Sequence, residues 1–317
     1  MRPTLLLTGS AGFVGKVIAP LLREAFPAMD VVEVVRGGTP PQGGAAVDLT
    51  HREATRALVA RVKPSLVVHL AAYSSVGLAS KHPTAVWGDN VIASCWLAEA
   101  ISAEAPEANV FVSSSAEVYG RALKDGPATE ETAPRPYGPY ATSKLASEHA
   151  VATILPETTP LLIVRSFNHT GAGQGEAFAI PSFAAQLARI EAGQSAPVLR
   201  VGNLSAERDF LDVRDVAAAY VALMAKMDAM GPRTVLNLAR GETVAIQSVL
   251  DALIGMARVD VSVEVDPERL RPNEIPIATA GTDRLREFIA WPPARSLQET
   301  LKTVLDDKRT MAGVPVA

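Results

Sequence analysis

Thr8-Gly9-Ser10-Ala11-Gly12-Phe13-Val14-Gly15 is the stretch on which the reading of this chain turns. Its glycines are spaced G-x-x-G-x-x-G. The apolar run 5–8 stands before it, and a helical pattern over 15–26 follows. Phosphate groups bind to backbone N–H groups at close range, where a Cβ would stand in the way, and a helix N-terminus adds partial positive charge. By spacing alone the stretch also suits a glycine-rich turn without a ligand. Its place between a strand and a helix makes it a candidate phosphate cradle at Gly9, Gly12, Phe13, Val14 and Gly15. The spacing differs from the G-x-G-x-x-G of many dinucleotide-binding folds.

Outward from the cradle, short apolar runs alternate with helical patterns. Strands are expected over 31–35, 66–70, 110–113 and 161–165, and helices over 52–62, 90–103 and 142–154. Continuous apolar strands separated by helices point to a parallel sheet covered on both faces. After about residue 172 the rhythm changes. A helix is expected over 177–192, a strand over 197–201, a helix over 215–227 and a short strand over 236–238. The stretch 266–276 is dense in Pro and Arg. The expected architecture is α/β: a doubly wound parallel sheet with a smaller C-terminal α/β lobe. The sheet domain takes 1–171, with 209–240 returning to it, and the lobe takes 172–208 and 241–317.

The 317 residues suffice for one large α/β domain and a smaller partner. With 48% hydrophobic and 20% charged residues, the balance is that of an ordinary globular chain. A net charge of −4 without a long basic run disfavours nucleic acid and anionic membrane as partners. No stretch approaches the roughly 20 apolar residues of a membrane span. The single cysteine, Cys95, rules out a disulfide within the chain, which fits a reducing, cytoplasmic setting. Its neighbours read as a helix face, so a buried, inert thiol is expected. The histidines are scattered with no metal-ligand spacing, and no metal is expected.

A second constellation lies in Pro136-Tyr137-Gly138-Pro139-Tyr140-Ala141-Thr142-Ser143-Lys144. Tyr140 and Lys144 share one helix face at i, i+4. Tyr137 has Ala141 at the equivalent spacing. A tyrosine titrates near pH 10, and a neighbouring ammonium favours its phenolate, bringing it closer to acid–base work at neutral pH. Such pairs are common as surface neighbours. Ser113-Ser114-Ser115-Ala116-Glu117-Val118-Tyr119-Gly120, placed after an expected strand, strengthens this one. Open α/β sheets bind ligands at the carboxyl ends of their strands.

With these motifs the whole chain resembles the extended short-chain dehydrogenase/reductases, which bind NAD(P) in a Rossmann-type domain. Arg165-Ser166-Phe167-Asn168-His169-Thr170-Gly171, the run 208–216 and the run 266–274 are similar to the branch acting on GDP-deoxysugars, which holds 4,6-dehydratases and 4-ketoreductases. The resemblance implies a Ser115–Tyr140–Lys144 triad, with Tyr140 and Lys144 also meeting the cofactor. It implies an adenine clamp at Asp48 and Leu49, and a close approach for the nicotinamide half at Ala71 and Ala72. Relatives that use NAD carry an acidic residue at the end of the second strand. Here Arg36 stands in that region, facing either solvent or a 2′-phosphate, so NADP(H) is favoured over NAD(H).

The same resemblance places Ser75, Asn168, Arg208, Arg271 and Glu274 on the GDP-deoxysugar. Arginines neutralise phosphate, asparagine donates to diphosphate or sugar hydroxyls, and glutamate accepts from ribose or base. His169 is expected to be a packed, hydrogen-bonded histidine. In the dehydratases a glutamate two residues after the serine or threonine acts as a further acid–base, and Glu117 holds that position. The reductases resemble this pattern too. Ser115, where dehydratases usually carry threonine, and the Val265-Asp266-Pro267-Glu268-Arg269-Leu270-Arg271-Pro272 tail favour a reductase. The expected reaction is NAD(P)H-dependent reduction of the C4 ketone of GDP-4-keto-6-deoxy-D-mannose to GDP-D-rhamnose. A dehydratase or epimerase is the alternative, and a non-catalytic NAD(P)-binding sensor the remote one. The resemblance also implies a homodimer through a four-helix bundle built from 90–103 and 142–154.

Overall fold

Strands that are apolar on both faces are stable only with cover on each side, and the first half of the chain supplies it. The computed structural model describes residues 2–74, 76–270, 275–291 and 293–316. It runs β1 (Thr4–Thr8), α1 (Phe13–Ala25), β2 (Asp30–Val35), β3 (Ala45–Ala46), α2 (Arg52–Val62), β4 (Leu66–His69), α3 (Val76–Lys81), α4 (Pro83–Trp87), α5 (Ala93–Glu104), β5 (Asn109–Ser115), α6 (Gly138–Ile154) and β6 (Leu161–Ser166). The second half follows as β7 (Asn168–Thr170), α7 (Ala179–Glu191), β8 (Val198–Val201), β9 (Glu207–Arg208), β10 (Phe210–Asp212), α8 (Val213–Met224), β11 (Arg233–Leu238), β12 (Val244–Ala245), α9 (Ile246–Gly255), β13 (Ser262–Val265), β14 (Ile277–Ala278), α10 (Asp283–Arg286) and α11 (Leu297–Ala312).

The central sheet is parallel and has the order β11-β6-β5-β4-β1-β2-β3. The chain winds outward from β1 through β2 to β3, then crosses back to β4 and winds the other way. The crevice at this reversal lies past the carboxyl ends of β1 and β4, the place where such sheets take ligands. Alternation along each strand divides the core in two. Leu5 and Leu7 pack with Ile18 and Leu22 of α1 and Val216, Tyr220 and Leu223 of α8. Leu6 packs on the opposite face with Leu58 of α2, Leu97 and Ile101 of α5, and Val151 of α6. A third core lies outside the sheet, where Phe183 and Leu187 of α7 meet Leu199, Leu250 of α9 and Leu305 of α11.

The doubly wound sheet with its smaller lobe is the expected architecture, but several bounds differ. β5 runs on through Ser114 and Ser115, because both continue the pairing with Arg165 and Ser166 of β6. α6 begins at Gly138 instead of 142. Gly138 turns the chain at φ +83°, and Pro139 occupies the first turn, where its missing N–H is no loss. The expected helix over 90–103 is a wide π-helical turn, Gly88–Ile92, running into α5. α11 was unforeseen, although Ser296 and Glu299 form a reciprocal capping box at its start. Cys95 is half-buried rather than buried, and burial pushes its thiol up, away from the reactive thiolate. Among the described residues no helix is long and apolar enough to cross a membrane.

Candidate active site

The glycine loop is tight because backbone meets backbone. Gly9 sits at φ +75°, and a Cβ there would lie 2.7 Å from the Ala71 nitrogen. A Cβ on Gly15 would lie 2.2 Å from the Gly9 carbonyl oxygen. Gly12 N–H closes the turn onto Gly9 O at 3.0 Å, and Ser10 Oγ ties the loop to Val34 O at 3.2 Å. α1 starts from Gly12 with no side-chain cap and no acidic residue in its first turn, so its first N–H groups face outward as anion donors. Phe13 stacks parallel to His169, whose Nδ1 bonds Phe167 O at 3.1 Å. His169 is thus the packed, hydrogen-bonded histidine that was expected.

Beside the loop lies a cavity of 180 Å³ in the crevice of the sheet. It brings together Gly9, Arg36, Asp48, Leu49, Ala71 and Ala72, with Val34, Val47 and Ala93 as apolar wall. An apolar slot with a polar rim, next to uncapped helix N–H groups, fits a base, a ribose and a diphosphate in series. Arg36 reaches over the rim to Asp48 Oδ2 at 3.1 Å and to Asp89 Oδ2 at 2.8 Å. Against the pull of burial, hydrogen bonds from Thr50 and Arg36 hold the Asp48 carboxyl below its usual range. Asp89 was missed from the sequence. It sits in the π-helical turn, far along the chain from Arg36, and nothing local signals it.

The carboxyl end of β5 brings Ser115 to Tyr140, and Lys144 to the Ser113 carbonyl. Ser115 Oγ accepts from Glu117 N–H at 3.2 Å and shares a hydrogen bond with the Tyr140 hydroxyl. Lys144 is buried, and its Nζ donates to Ser113 O at 2.6 Å. Burial pushes the Tyr140 phenol up to about 12, and the nearby Glu117 charge adds to this against the Ser115 hydrogen bond. This is the reverse of the expected lowering by lysine. Removal of the phenol from solvent outweighs any help from the ammonium, which lies against Ser113. Burial also brings Lys144 down to about 8, opposed by the Glu148 charge.

Supports that sequence reading missed surround this pair. Asn90 Nδ2 donates to Ser143 Oγ at 2.9 Å, and Ser143 Oγ donates to Tyr140 O at 2.8 Å. A buried Asn inside an apolar helix run was the available signal. Burial, then the Lys144 charge, pushes His69 down to about 3, so it is a neutral link between Thr8 Oγ1 and Ser94 Oγ. The Tyr220 hydroxyl bonds Ser113 Oγ at 2.9 Å and Ser166 Oγ at 2.6 Å.

The expected substrate residues are less gathered. Asn168 is exposed on β7, paired in register with Phe210 of β10. Arg208 Nη1 donates to Glu207 O and Ile275 O, each at 2.8 Å, so it ties the segment before β14 to β9. Ser75, Arg271 and Glu274 lie outside the described residues. Among those described, no group of three or more His, Cys, Asp or Glu could hold a metal ion.

Residues 5–239 match the NAD dependent epimerase/dehydratase family. The chain is 31% identical over 309 residues to GDP-6-deoxy-D-mannose reductase of Pseudomonas aeruginosa, covering 97% of each protein. Its structure is similar to that of RMD from Pseudomonas aeruginosa complexed with NADPH, with a TM-score of 0.84 and 30% identity over 98% of this chain and 99% of that one. A putative epimerase from Burkholderia cenocepacia is equally similar in structure, with a TM-score of 0.84 and 34% identity over 98% of this chain and 100% of that one.

Proposed function

Since the chain belongs to the NAD dependent epimerase/dehydratase family, we propose that this NAD(P)-dependent nucleotide-sugar oxidoreductase is a 4-ketoreductase that converts GDP-4-keto-6-deoxy-D-mannose to GDP-D-rhamnose. The observation that carries the reading is the match to a GDP-6-deoxy-D-mannose reductase over 97% of both chains. The Ser115–Tyr140 contact supports it. NADP(H) is the favoured cofactor and NAD(H) the alternative, with Gly9, Gly12, Phe13, Val14 and Gly15 at the diphosphate. Asp48, Leu49, Ala71 and Ala72 line the dinucleotide path.

When bound, NADPH supplies hydride to the C4 carbonyl carbon. Ser115 Oγ and the Tyr140 hydroxyl take the C4 oxygen between them. Tyr140 gives its proton to that oxygen as the alkoxide forms; burial, which pushes the phenol up to about 12, keeps it protonated at neutral pH but makes it a weaker acid than one matched to the working pH. The Lys144 ammonium would hold the ribose of the bound cofactor and favour the phenolate left behind. Asn168, Arg208, Arg271, Glu274 and Ser75 are the proposed contacts of the nucleotide and sugar, most of them within the pieces 172–208 and 241–317 of the proposed substrate lobe. A homodimer through α5 and α6 belongs to this reading. Trp87, Ile92 and Ile154 are 41%, 42% and 37% exposed on these and the adjoining turns.

The test is incubation of the purified chain with GDP-4-keto-6-deoxy-D-mannose and NADPH or NADH, with the sugar identified by NMR. Stoichiometric consumption of NADPH and a GDP-6-deoxyhexose product are expected. Glu117, whose charge reaches Tyr140, favours a second reading as a dehydratase or epimerase. A cofactor that co-purifies oxidised and is not consumed, with GDP-mannose or an epimer as substrate, would replace the first reading with this one.

Arg36 gives a separate prediction. A guanidinium already shared by two carboxylates accepts a 2′-phosphate as a third anion only if that contact is worth more than the carboxylates it displaces. Arg36→Ala should lower the NADPH/NADH ratio of kcat/KM by about 10- to 100-fold, the worth of one charge-assisted contact. Asp89→Asn should raise the same ratio by freeing Arg36. An unchanged ratio in both variants takes Arg36 out of cofactor selection.

A further inference from the structure

β5 ends in three serines, and α6 carries Tyr140, Lys144 and Glu148 on one face, at i, i+4 and i+8. Each serine meets one of the three. The Ser113 carbonyl accepts from Lys144 Nζ, and Ser115 shares its hydrogen bond with Tyr140. Between them Ser114 Oγ donates to a carboxylate oxygen of Glu148. Ser114 and Glu148 are both buried, and the proposed reaction uses neither.

Glu148 is held from behind. Arg165 of β6 donates Nη2 to Glu148 Oε2 at 2.7 Å and Nε to Oε1 at 3.1 Å. Arg165 Nη1 donates to the Tyr119 hydroxyl at 3.2 Å, and that hydroxyl donates to Asn237 Oδ1 of β11 at 2.7 Å. A buried ion pair is a weak source of net stability, because desolvation cancels most of the attraction. A hydrogen-bonded buried network does fix relative position. This one joins α6 to β5, β6 and β11 directly under the catalytic face.

We propose that Glu148, anchored by Arg165, is a positioning residue for the catalytic pair, holding α6 in register with the serine end of β5 and giving the Lys144 ammonium a buried counter-charge. The inference rests on the Tyr140–Lys144 reading of the site. Lys144 Nζ lies against the Ser113 carbonyl, His69 on β4 feels its charge, and Arg165 on β6 reaches it only through Glu148. Asp89 in the π-helical turn against α6 is paired with Arg36. His69 is neutral, and Arg165 is itself neutralised by Glu148. Glu148 is the carboxylate whose charge raises Lys144 against the lowering by burial.

S114A and E148Q test this in the full chain. S114A removes one hydrogen bond and leaves the ion pair, so it should fold, lose about tenfold in kcat, and keep KM for NADPH and sugar within about twofold. E148Q should in addition move the alkaline limb of the pH profile, where Lys144 deprotonates, down by about one pH unit. The same limb is read without sugar, from NADPH affinity measured by fluorescence against pH. Wild-type kcat in S114A, or an unmoved limb in E148Q, overturns the proposal. If E148Q does not fold, S114A decides alone. A wild-type chain that reduces no 4-keto sugar sinks the proposed function, while the NADPH-binding limb still tests Glu148.

Discussion

Replacement of Tyr140 by Phe should lower kcat by about a thousandfold and leave NADPH affinity within about threefold, because positioned proton transfer is worth roughly 10²–10⁴ in rate. The phenyl ring keeps the volume that packs at the start of α6. Only the hydroxyl shared with Ser115 is lost. Hydride arriving at C4 then leaves an alkoxide with no acid at hand. The Ser115 hydroxyl is a poor substitute, since an aliphatic alcohol is a far weaker acid than a phenol. Single-turnover oxidation of NADPH, with binding measured separately, makes the check. A kcat within about tenfold of wild type would mean that another group donates the proton, and the mechanism would fall.

The second large effect is expected from Gly15→Ala. Its Cβ would stand 2.2 Å from Gly9 O and 2.7 Å from both Ser10 Cα and Ser10 O. All three contacts are backbone, so no side chain can swing away. Gly9 cannot retreat either, since its own missing Cβ is what lets it lie against Ala71. α1 must therefore move outward, taking its first N–H groups from the diphosphate path. Overpacking of this kind costs about 1–3 kcal/mol. Most of it falls on the loop, so NADPH affinity should drop about 100-fold. Gly255→Ala is the control: it adds a Cβ with nothing within 4 Å at the end of α9 and should leave NADPH affinity unchanged. Calorimetric titration with NADPH reads both. Wild-type affinity in Gly15→Ala would show that the cradle tolerates a wider loop.

Much of the site was legible because its parts are local. The glycine spacing lies within one strand–loop–helix unit, and Tyr140 and Lys144 lie within one helical turn and a fraction. Other features were hidden because their partners are distant in sequence. Arg36 read as a group facing solvent or phosphate, and Asp89 supplied a carboxylate from another element. Arg208 read as a phosphate ligand, yet its Nη1 holds the backbone at Ile275. Lys144 was expected to depress Tyr140, but burial, with Glu117 and Tyr220 adding to it, pushes the phenol upward against the Ser115 hydrogen bond. The C-terminal α11 was overlooked for a different reason. Its mixed polar composition hid a narrow apolar stripe, Leu301, Val304 and Leu305, which only its packing on α7 and α9 makes visible.

By itself, the sequence determined the doubly wound sheet, the glycine loop at its first turn and the placing of Tyr140 and Lys144 on one helix face, since each follows from periodicity or spacing within a short window. Tertiary structure alone decided how those parts are tuned. The close approach of Gly9 to Ala71, the carboxylates around Arg36 and the Glu148–Arg165 anchor under Lys144 each join elements far apart in the chain. Proton affinity and position in a buried site are sums over all neighbours in space, and a linear pattern does not carry that sum.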